Sequence, residues 1–174
     1  MRLAEHLGIG VVIAAQLLVL LAIPARNVIT RATGRDVTLR TAPVDPYDPL
    51  AGYYVTLAYE VEQLAPADRE RLGPTGPVWI TVRAAEPAWQ GVAVTVERPA
   101  PAPDRVSMRA HWSGWRASID GADRLYIPET QRERVAALLR AANQHGLADL
   151  VVSADGDVAL VRLRVGGETF GELK

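Results

Sequence analysis

The residues best suited to recognition lie between positions 109 and 116. The stretch Arg109-Ala-His111-Trp112-Ser-Gly-Trp115-Arg116 combines two arginines, two tryptophans and one histidine. Tryptophan and arginine are enriched at the binding hot spots of protein interfaces, so this stretch predicts a candidate interaction surface formed by Arg109, His111, Trp112, Trp115 and Arg116. A strand with alternating sides gives a second interpretation, in which Trp112 packs in the core while Arg109 and His111 face solvent.

Residues of catalytic type are present, but not in the spacing of a known catalytic set. The chain has no cysteine, which excludes thiolate zinc sites and a cysteine nucleophile. Its one lysine is the terminal Lys174, whereas a Ser/Lys dyad needs a buried lysine. The dispersed His111 and His145 do not supply the three or four ligands of a zinc site. We predict no catalytic residues, no cofactor and no metal, and a Ser/His/Asp set stays open because its members need not be close in sequence.

The composition is that of one globular domain without a strong overall charge. The 174 residues are 49% hydrophobic and 22% charged, which are ordinary values for a folded protein. The 19 basic and 20 acidic residues nearly cancel, so no general positive potential attracts nucleic acid. No GxGxxG or Walker-type phosphate loop occurs in the sequence. We therefore predict no nucleic-acid partner.

An apolar run near the N-terminus predicts a membrane anchor. Residues 7–25 carry no charged side chain and are closed by Pro24 and Ala25. At about 1.5 Å per residue this run roughly matches the hydrocarbon core of about 30 Å. A cleaved signal peptide is the main alternative, and a buried helix of a soluble protein is the other. We predict a single uncleaved span that contacts membrane lipid through residues 7–25 in the inner or cytoplasmic membrane.

The flanking charges leave the orientation of this span open. Four arginines follow it, whereas Arg2 alone precedes it, and an excess of Lys and Arg marks the cytoplasmic side. Short N-terminal tails nevertheless often stay inside the cell, and arginines within the predicted domain count less as flanking charge. The four are Arg26, Arg31, Arg35 and Arg40.

Hydrophobic periodicity predicts an α+β fold, in which an N-terminal transmembrane helix precedes a β-rich, mostly antiparallel domain with one amphipathic helix. We divide the chain into a tail and anchor (1–26), a linker (27–35) and the β-rich domain (36–174). The helix is predicted from Gln131 to about His145, after a capping box at Thr130. Asp155-Gly156 suits a type I′ hairpin turn. Strands are predicted near 36–41, 53–62, 78–82, 92–96, 106–112, 125–127, 150–153 and 158–165.

The segment PVDPYDPLAGYYVTLAYE, residues 43–60, resembles the GDYXXLXY family of membrane-anchored bacterial proteins. Tyr53 stands where the family motif Gly-Asp-Tyr-x-x-Leu-x-Tyr has its aspartate, which favours a structural role for the motif. The resemblance spans roughly Asp36 to Leu163 plus the anchor. It implies a single-span protein with an extracytoplasmic domain and no assigned biochemical activity. The matching residues are Gly52, Tyr54, Leu57 and Tyr59 in the motif, Asp45 and Asp48 in the preceding loop, and Pro128 and Glu129 before the helix.

The motif residues have a structural and a functional interpretation. Leu57 and Tyr59 share a strand face and are expected in the core, whereas Tyr54 lies on the other face. Asp45 and Asp48 are typical of turns held by bonds from side chain to backbone. A surface that binds a ligand is the alternative for the same set.

Three functions follow from these features. The first is a protein-interaction or accessory module of a membrane assembly, which contacts a membrane-protein partner through a sheet edge or the tryptophan-bearing surface. The second is a hydrolase, because Gly-x-Tyr-Val-x-Leu is similar to a strand near the active site of type I signal peptidases. The third is small-ligand binding in a closed apolar cavity.

Overall fold

The computed structural model describes residues 12–13, 16–20, 27–42, 54–64, 69–141 and 145–171. Eleven strands, a 3-10 helix (Glu60–Glu62) and an α-helix, α1 (Glu129–Ala141), make up the domain. The strands are β1 (Arg35–Ala42), β2 (Tyr54–Thr56), β3 (Ala58–Tyr59), β4 (Gly76–Arg83), β5 (Gln90–Thr95), β6 (Arg105–Trp112), β7 (Ala117–Ile119), β8 (Arg124–Tyr126), β9 (Leu147–Val152), β10 (Val158–Val165) and β11 (Glu168–Phe170).

The strands form three sheets, and their pairings are antiparallel. The largest sheet has the order β11-β10-β9-β1-β3, a second has the order β5-β4-β6-β7, and β2 pairs with β8. This arrangement confirms the prediction of a β-rich, antiparallel domain with few helices.

One apolar cluster joins the three sheets and α1. Strand alternation places every second residue of β4 and β6 in this cluster, and α1 adds Val135 and Leu139 at helical spacing. Trp112, which is 1% exposed, is the largest of its fully buried side chains. The cluster includes Val37, Leu39, Val78, Ile80, Val82, Met108, Ala110, Trp112, Leu150 and Leu163.

Two main-chain hydrogen bonds tie the two larger sheets together. The amide of Trp89, after β4, donates to the carbonyl of Thr38 in β1 at 2.8 Å. The amide of Arg109 in β6 donates to the carbonyl of Gly156, in the β9–β10 turn, at 2.9 Å. The β9–β10 turn also lies against the ring of Trp79 in β4, so this turn of the five-stranded sheet packs on the four-stranded sheet.

The long strand predicted over 53–62 is wrong, because the chain changes its pairing partner from β8 to β1 and then leaves the sheet. β2 pairs with β8, β3 pairs with β1, and residues 60–62 form the 3-10 helix. Between β2 and β3, the amide of Leu57 donates to the carbonyl of Asp123 at 2.8 Å. This bond lies outside both strand pairings and marks the point where pairing with β8 ends and pairing with β1 begins.

The predicted helix is displaced towards the N-terminus. It begins at Glu129, so Thr130 lies inside the helix instead of capping it. It runs to Ala141, residues 142–144 lie outside the described residues, and His145 is not helical. Nδ1 of His145 instead lies 3.3 Å from the carbonyl oxygen of Thr41, at the end of β1.

The type I′ turn predicted at Asp155-Gly156 is also wrong. The amide of Ser153 donates to the carbonyl of Asp157 at 2.8 Å, which leaves a three-residue loop that ends with Gly156 at a φ of +82°. Loops of this length use a left-handed residue in their last position. The tight two-residue connection is in the next hairpin, where Gly166 and Gly167 both have positive φ between paired Val165 and Glu168.

The predicted linker is structured over part of its length. Residues 27–33 are helical, and β1 begins at Arg35. The predicted span over residues 7–25 lies mostly outside the described residues, of which 12–13 and 16–20 are helical. In the described ranges, no helix combines the length and the apolar character that crossing a membrane requires.

Replacing Gly156 with alanine tests the docking of the β9–β10 turn on Trp79. A Cβ at position 156 would lie 2.4 Å from Cζ3 of Trp79, on a residue with a φ of +82°. We expect Gly156→Ala to lower the free energy of unfolding by about 2–4 kcal/mol, because backbone strain and overpacking act together. Chemical denaturation of the purified protein measures this loss.

Gly167→Ala is the matched control. Its φ is +83°, but nothing lies within 4 Å of the added Cβ. We expect this variant to lose the backbone contribution alone, about 1–2 kcal/mol. Equal losses in the two variants would contradict the docking of the turn.

Candidate functional site

Residues 54–59 bond to residues 122–126 through β2, the amide of Leu57 and the hydroxyl of Tyr59, whereas the backbone of β3 pairs with β1. Tyr59 is fully buried, and its hydroxyl donates to the carbonyl of Ala122 at 2.7 Å. Leu57 is also buried, with its amide bonded to the Asp123 carbonyl. These contacts make Leu57 and Tyr59 parts of the core that fix the turn between β7 and β8.

Tyr54 packs on the outside of the same connection. Its ring centroid lies 6.0 Å from that of Tyr126, its partner in the β2–β8 pair. The guanidinium carbon of Arg124 lies 5.1 Å from the Tyr54 ring centroid, close enough for a cation–π contact. Tyr54 therefore covers the solvent-facing side of the two-stranded β2–β8 sheet.

The remaining motif residues are described only in part. Asp45, Asp48 and Gly52 lie outside the described residues. Pro128 is exposed, and its carbonyl accepts a hydrogen bond from the amide of Gln131 at 2.9 Å. Glu129 is the first residue of α1. Pro128 and Glu129 thus mark the start of the helix.

A buried carboxylate that the sequence did not single out lies beside Tyr59. Glu62 is 1% exposed. Its Oε2 accepts a hydrogen bond from the amide of Tyr59 at 3.1 Å, and its Oε1 accepts one from the amide of Ile119 at 2.8 Å. The period-two pattern placed Glu62 on the solvent face of a long strand, and the 3-10 turn rotates it inward. The alternating pattern of apolar residues does not predict the 3-10 helix at residues 60–62.

Burial is the main influence on the ionisation of Glu62. Desolvation raises its pKa from 4.5 to about 7. The two backbone amides and the positive charge of Arg116 act in the opposite direction, and the negative charge of Asp123 adds to the rise. The nearby Tyr59 hydroxyl also has its pKa raised well above the usual value, first by burial and then by the charge of Glu62. The buried surroundings of Glu62 and Tyr59 therefore favour the neutral forms of both side chains.

A cavity beside Tyr59 is lined by a residue of the family motif and by residues of the predicted interaction surface. Its volume is about 280 Å³. Tyr59 from the motif lines it, together with Trp115 and Arg116 from the predicted interaction surface. The remaining lining residues are Ala42, Ala58, Gln63 and Arg69. We call these seven residues the Trp115 cavity.

The charged and aromatic groups of the Trp115 cavity are held in place. Trp115 is 66% exposed, and the guanidinium carbon of Arg116 lies 5.3 Å from its ring centroid. Arg116 also donates from Nη2 to Oγ of Ser118 at 3.1 Å. On the other side, Nε of Arg69 donates to the carbonyl of Leu64 at 3.1 Å. One of the five donors of each guanidinium is thus engaged by a neighbouring residue, which restrains the side chain at the cavity.

The other members of the predicted interaction surface lie elsewhere. Trp112 belongs to the core, where its Nε1 donates to the carbonyl of Gly73 at 2.9 Å. Arg109 stacks 5.6 Å from the ring centroid of Trp79 and donates to the carbonyl of Asp155 at 3.0 Å, so it holds the β9–β10 turn. His111 is exposed on β6, opposite Ser118. Trp112 is thus not part of a surface, because it occupies the inward position of its strand.

The arrangement suits binding of a negatively charged or planar group. Arg69 and Arg116 line the Trp115 cavity, and no carboxylate is among the lining residues that the structure describes. Guanidinium groups match the geometry of carboxylates with two parallel hydrogen bonds. The described residues contain no group of three or more His, Asp or Glu side chains that could hold a metal ion.

Comparison with known proteins gives one match. The family model described as GDYXXLXY protein matches residues 16–163 of the chain. No curated protein and no solved structure matches it.

The ionisation of Glu62 makes the stability of the fold depend on pH. Because its folded pKa is about 7 and its ordinary value is 4.5, the folded chain holds a proton that the unfolded chain releases between these values. We expect the Glu62 contribution to be fully present below pH 4.5 and to be lost as the pH rises towards 7. The free energy of unfolding should fall by about 3 kcal/mol over this interval.

Glu62→Gln removes this titration and provides the measurement. We expect thermal unfolding of the variant to lack the Glu62 slope between about pH 5 and 7. Below pH 4.5 the variant should be about 1–3 kcal/mol less stable than the wild type, since an amide nitrogen cannot accept one of the two backbone hydrogen bonds. This deficit should shrink as the pH rises to 7, because only the wild type loses the Glu62 contribution. Glu133→Gln, at an exposed position of α1, is the control and should keep the wild-type slope. A wild-type slope in Glu62→Gln would contradict the assignment.

Proposed function

The chain belongs to the GDYXXLXY family, and from that premise we propose that it is a single-span, membrane-anchored accessory module. Its β-rich domain lies outside the cytoplasm and binds a membrane-protein partner at the Trp115 cavity. The exposed Trp115 beside two oriented arginines is the observation that carries this proposal.

The anchor is supported by apolar side chains that the rest of the chain does not cover. Six described residues of the 7–25 run are each between 50% and 70% exposed. A soluble protein rarely leaves so many neighbouring apolar residues in contact with water, whereas a helix in lipid exposes them on all sides. These residues are Val12, Ile13, Leu17, Leu18, Val19 and Leu20.

The contacts of the arginines support an extracytoplasmic domain. Arg31 donates to the Leu160 carbonyl at 3.1 Å, and Arg35 donates to the Pro103 carbonyl at 2.7 Å. Arg40 lies 3.7 Å from a carboxylate oxygen of Glu60. Three of the four arginines after the span are thus bonded within the domain. The charge of Arg40 counts least as flanking charge, because Arg40 lies near the distal end of β1 and is paired with Glu60.

The chemistry of the partner follows from the lining of the Trp115 cavity. Two guanidinium groups and an exposed indole favour a carboxylate-bearing segment, either an acidic side chain or a C-terminal carboxylate. A volume of about 280 Å³ accommodates one side chain. The lining holds no histidine, serine or lysine, so we propose binding at this site rather than catalysis.

The sidedness of the domain is measured with one engineered cysteine in a chain that has none of its own. Ala137→Cys places a thiol on the exposed face of α1. We expect a membrane-impermeant maleimide to label it in intact spheroplasts. Ala4→Cys, before the span, is the control and should react only after permeabilisation. The reverse pattern would place the domain in the cytoplasm.

The partner surface is measured by photo-crosslinking from position 115. A benzoylphenylalanine at this position of the full chain in its native membrane should form a cross-link to a second protein. Val96 is the control position, because it is 56% exposed and follows β5, at the opposite edge of the sheet from β7. We expect no such product from position 96.

Charge reversal links the cross-link to the proposed chemistry. Arg69→Glu should reduce the yield from position 115 several-fold, because it places a carboxylate where the partner's carboxylate binds. Glu70→Arg, at the neighbouring exposed residue, should leave the yield unchanged or raise it. A product that forms equally from positions 115 and 96, or is insensitive to Arg69→Glu, would contradict the proposal.

A further inference from the structure

The helical residues 27–33 are packed against the domain. Thr30 is buried, and its carbonyl accepts a hydrogen bond from the amide of Gly34 at 2.9 Å. Arg31 bonds to the Leu160 carbonyl from the same helical turn. A Cβ on Gly34 would lie 2.5 Å from Cγ1 of Val151. The chain therefore runs in direct contact with β9 before it enters β1, without a free linker.

The chain between the proposed span and this helical segment is short. The span ends at Ala25, two residues before Asn27. Two residues cover at most about 7 Å, so Asn27 lies within that distance of the end of the span. Asn27 also lines a cavity of about 380 Å³ together with Asp120, Gly121 and Asp157. These turns are consequently near the bilayer as well.

Two large apolar side chains of the helical segment are exposed, beside the exposed Asn27 and Thr33. Val28 is 63% exposed and Ile29 is 59% exposed, whereas Thr30 faces the domain. Apolar side chains of a helix at the membrane surface insert between lipid headgroups and acyl chains. Their position directly after the span makes the lipid interface the surface that covers them.

We propose, on the basis of the membrane anchor proposed above, that the domain sits directly on the bilayer through one fixed face. This face consists of residues 27–33 and the turns at Asp120-Gly121 and Asp157, and lipid headgroups occupy it. The described lining of the cavity of Asn27 holds Arg109 with Asp120 and Asp157, and Arg31 donates from Nε to Oδ1 of Asn27 at 2.9 Å, so basic and acidic side chains are equal in number there. Contact of this face with the bilayer therefore requires no anionic lipid.

This orientation places the Trp115 cavity away from the membrane. β1 begins at Arg35, next to the membrane face, and ends at Ala42, which lines the Trp115 cavity. Seven residue steps of a strand cover about 23 Å. The short β7 likewise runs from Ala117, near Trp115, to Ile119, before the Asp120 turn. The partner would thus bind at the end of the domain that faces away from the lipid.

The test measures depth at two positions of the full chain in phosphatidylcholine vesicles that carry a headgroup quencher. Asp120→Cys and Thr75→Cys are each labelled with a fluorescent maleimide, since both residues are exposed. Thr75 precedes β4, whose first residue pairs with Trp112 at the far end of the sheet. We expect several-fold stronger quenching at position 120 than at position 75, with no change when phosphatidylglycerol is added.

A flexible insertion and flotation of the vesicles separate the possible outcomes. Inserting about ten Gly and Ser residues between Arg26 and Asn27 should reduce the difference between the two positions, because the domain is then free to leave the surface. A chain that floats with the vesicles but shows equal quenching at both positions overturns the seating and leaves the anchor intact. If the insertion leaves the quenching difference between positions 120 and 75 unchanged, the short chain after the span is not what holds the domain on the bilayer, and that argument is overturned. A chain that does not float overturns the anchor and this inference together.

Discussion

A carboxylate in a protein core needs a hydrogen-bond donor for each oxygen, and Glu62 obtains its two donors from different parts of the chain. The amide of Tyr59 lies in β3, and the amide of Ile119 lies in β7. β3 belongs to the five-stranded sheet and β7 to the four-stranded one. The side chain therefore links the edges of the two larger sheets, where an unsatisfied charge would be costly.

The position of the Trp115 cavity follows from this link. Tyr59 and Ile119 are bonded to the same carboxylate, so the end of β7 is held beside β3 and, through β3, beside the end of β1. Arg116 precedes β7 and Ala42 ends β1, and both line the Trp115 cavity. The motif thus acts as a structural support for the cavity, and Tyr59 serves both the core and the lining.

Sequence alone predicts the regular part of this fold and misses the parts that depend on distant contacts. Alternation locates β4 and β6, because alternate residues are buried from Val78 to Val82 and from Met108 to Trp112, and it also locates β10 despite the register shift after Leu160. It fails over residues 53–62, where Leu57 bonds to Asp123 and Glu62 to Ile119, more than fifty residues away. β7 and β11 have three residues each, too few for a period to appear. Residue type made both tryptophans candidate interface residues, whereas strand alternation offered a core position for Trp112; the structure confirms that core position and leaves Trp115 exposed.

A small binding site is adequate for a protein held in the same membrane as its partner. Confinement of both proteins to one surface replaces part of the translational freedom that binding in solution must remove. One exposed indole and two oriented guanidinium groups then suffice for a specific contact, since the site need not supply the affinity of a soluble complex. A rigid connection to the anchor would add to this effect, because a site held at a constant height meets a partner's segment in few orientations. The burial of Thr30 and the hydrogen bond from Arg31 to the Leu160 carbonyl are therefore as relevant to recognition as the lining of the cavity itself.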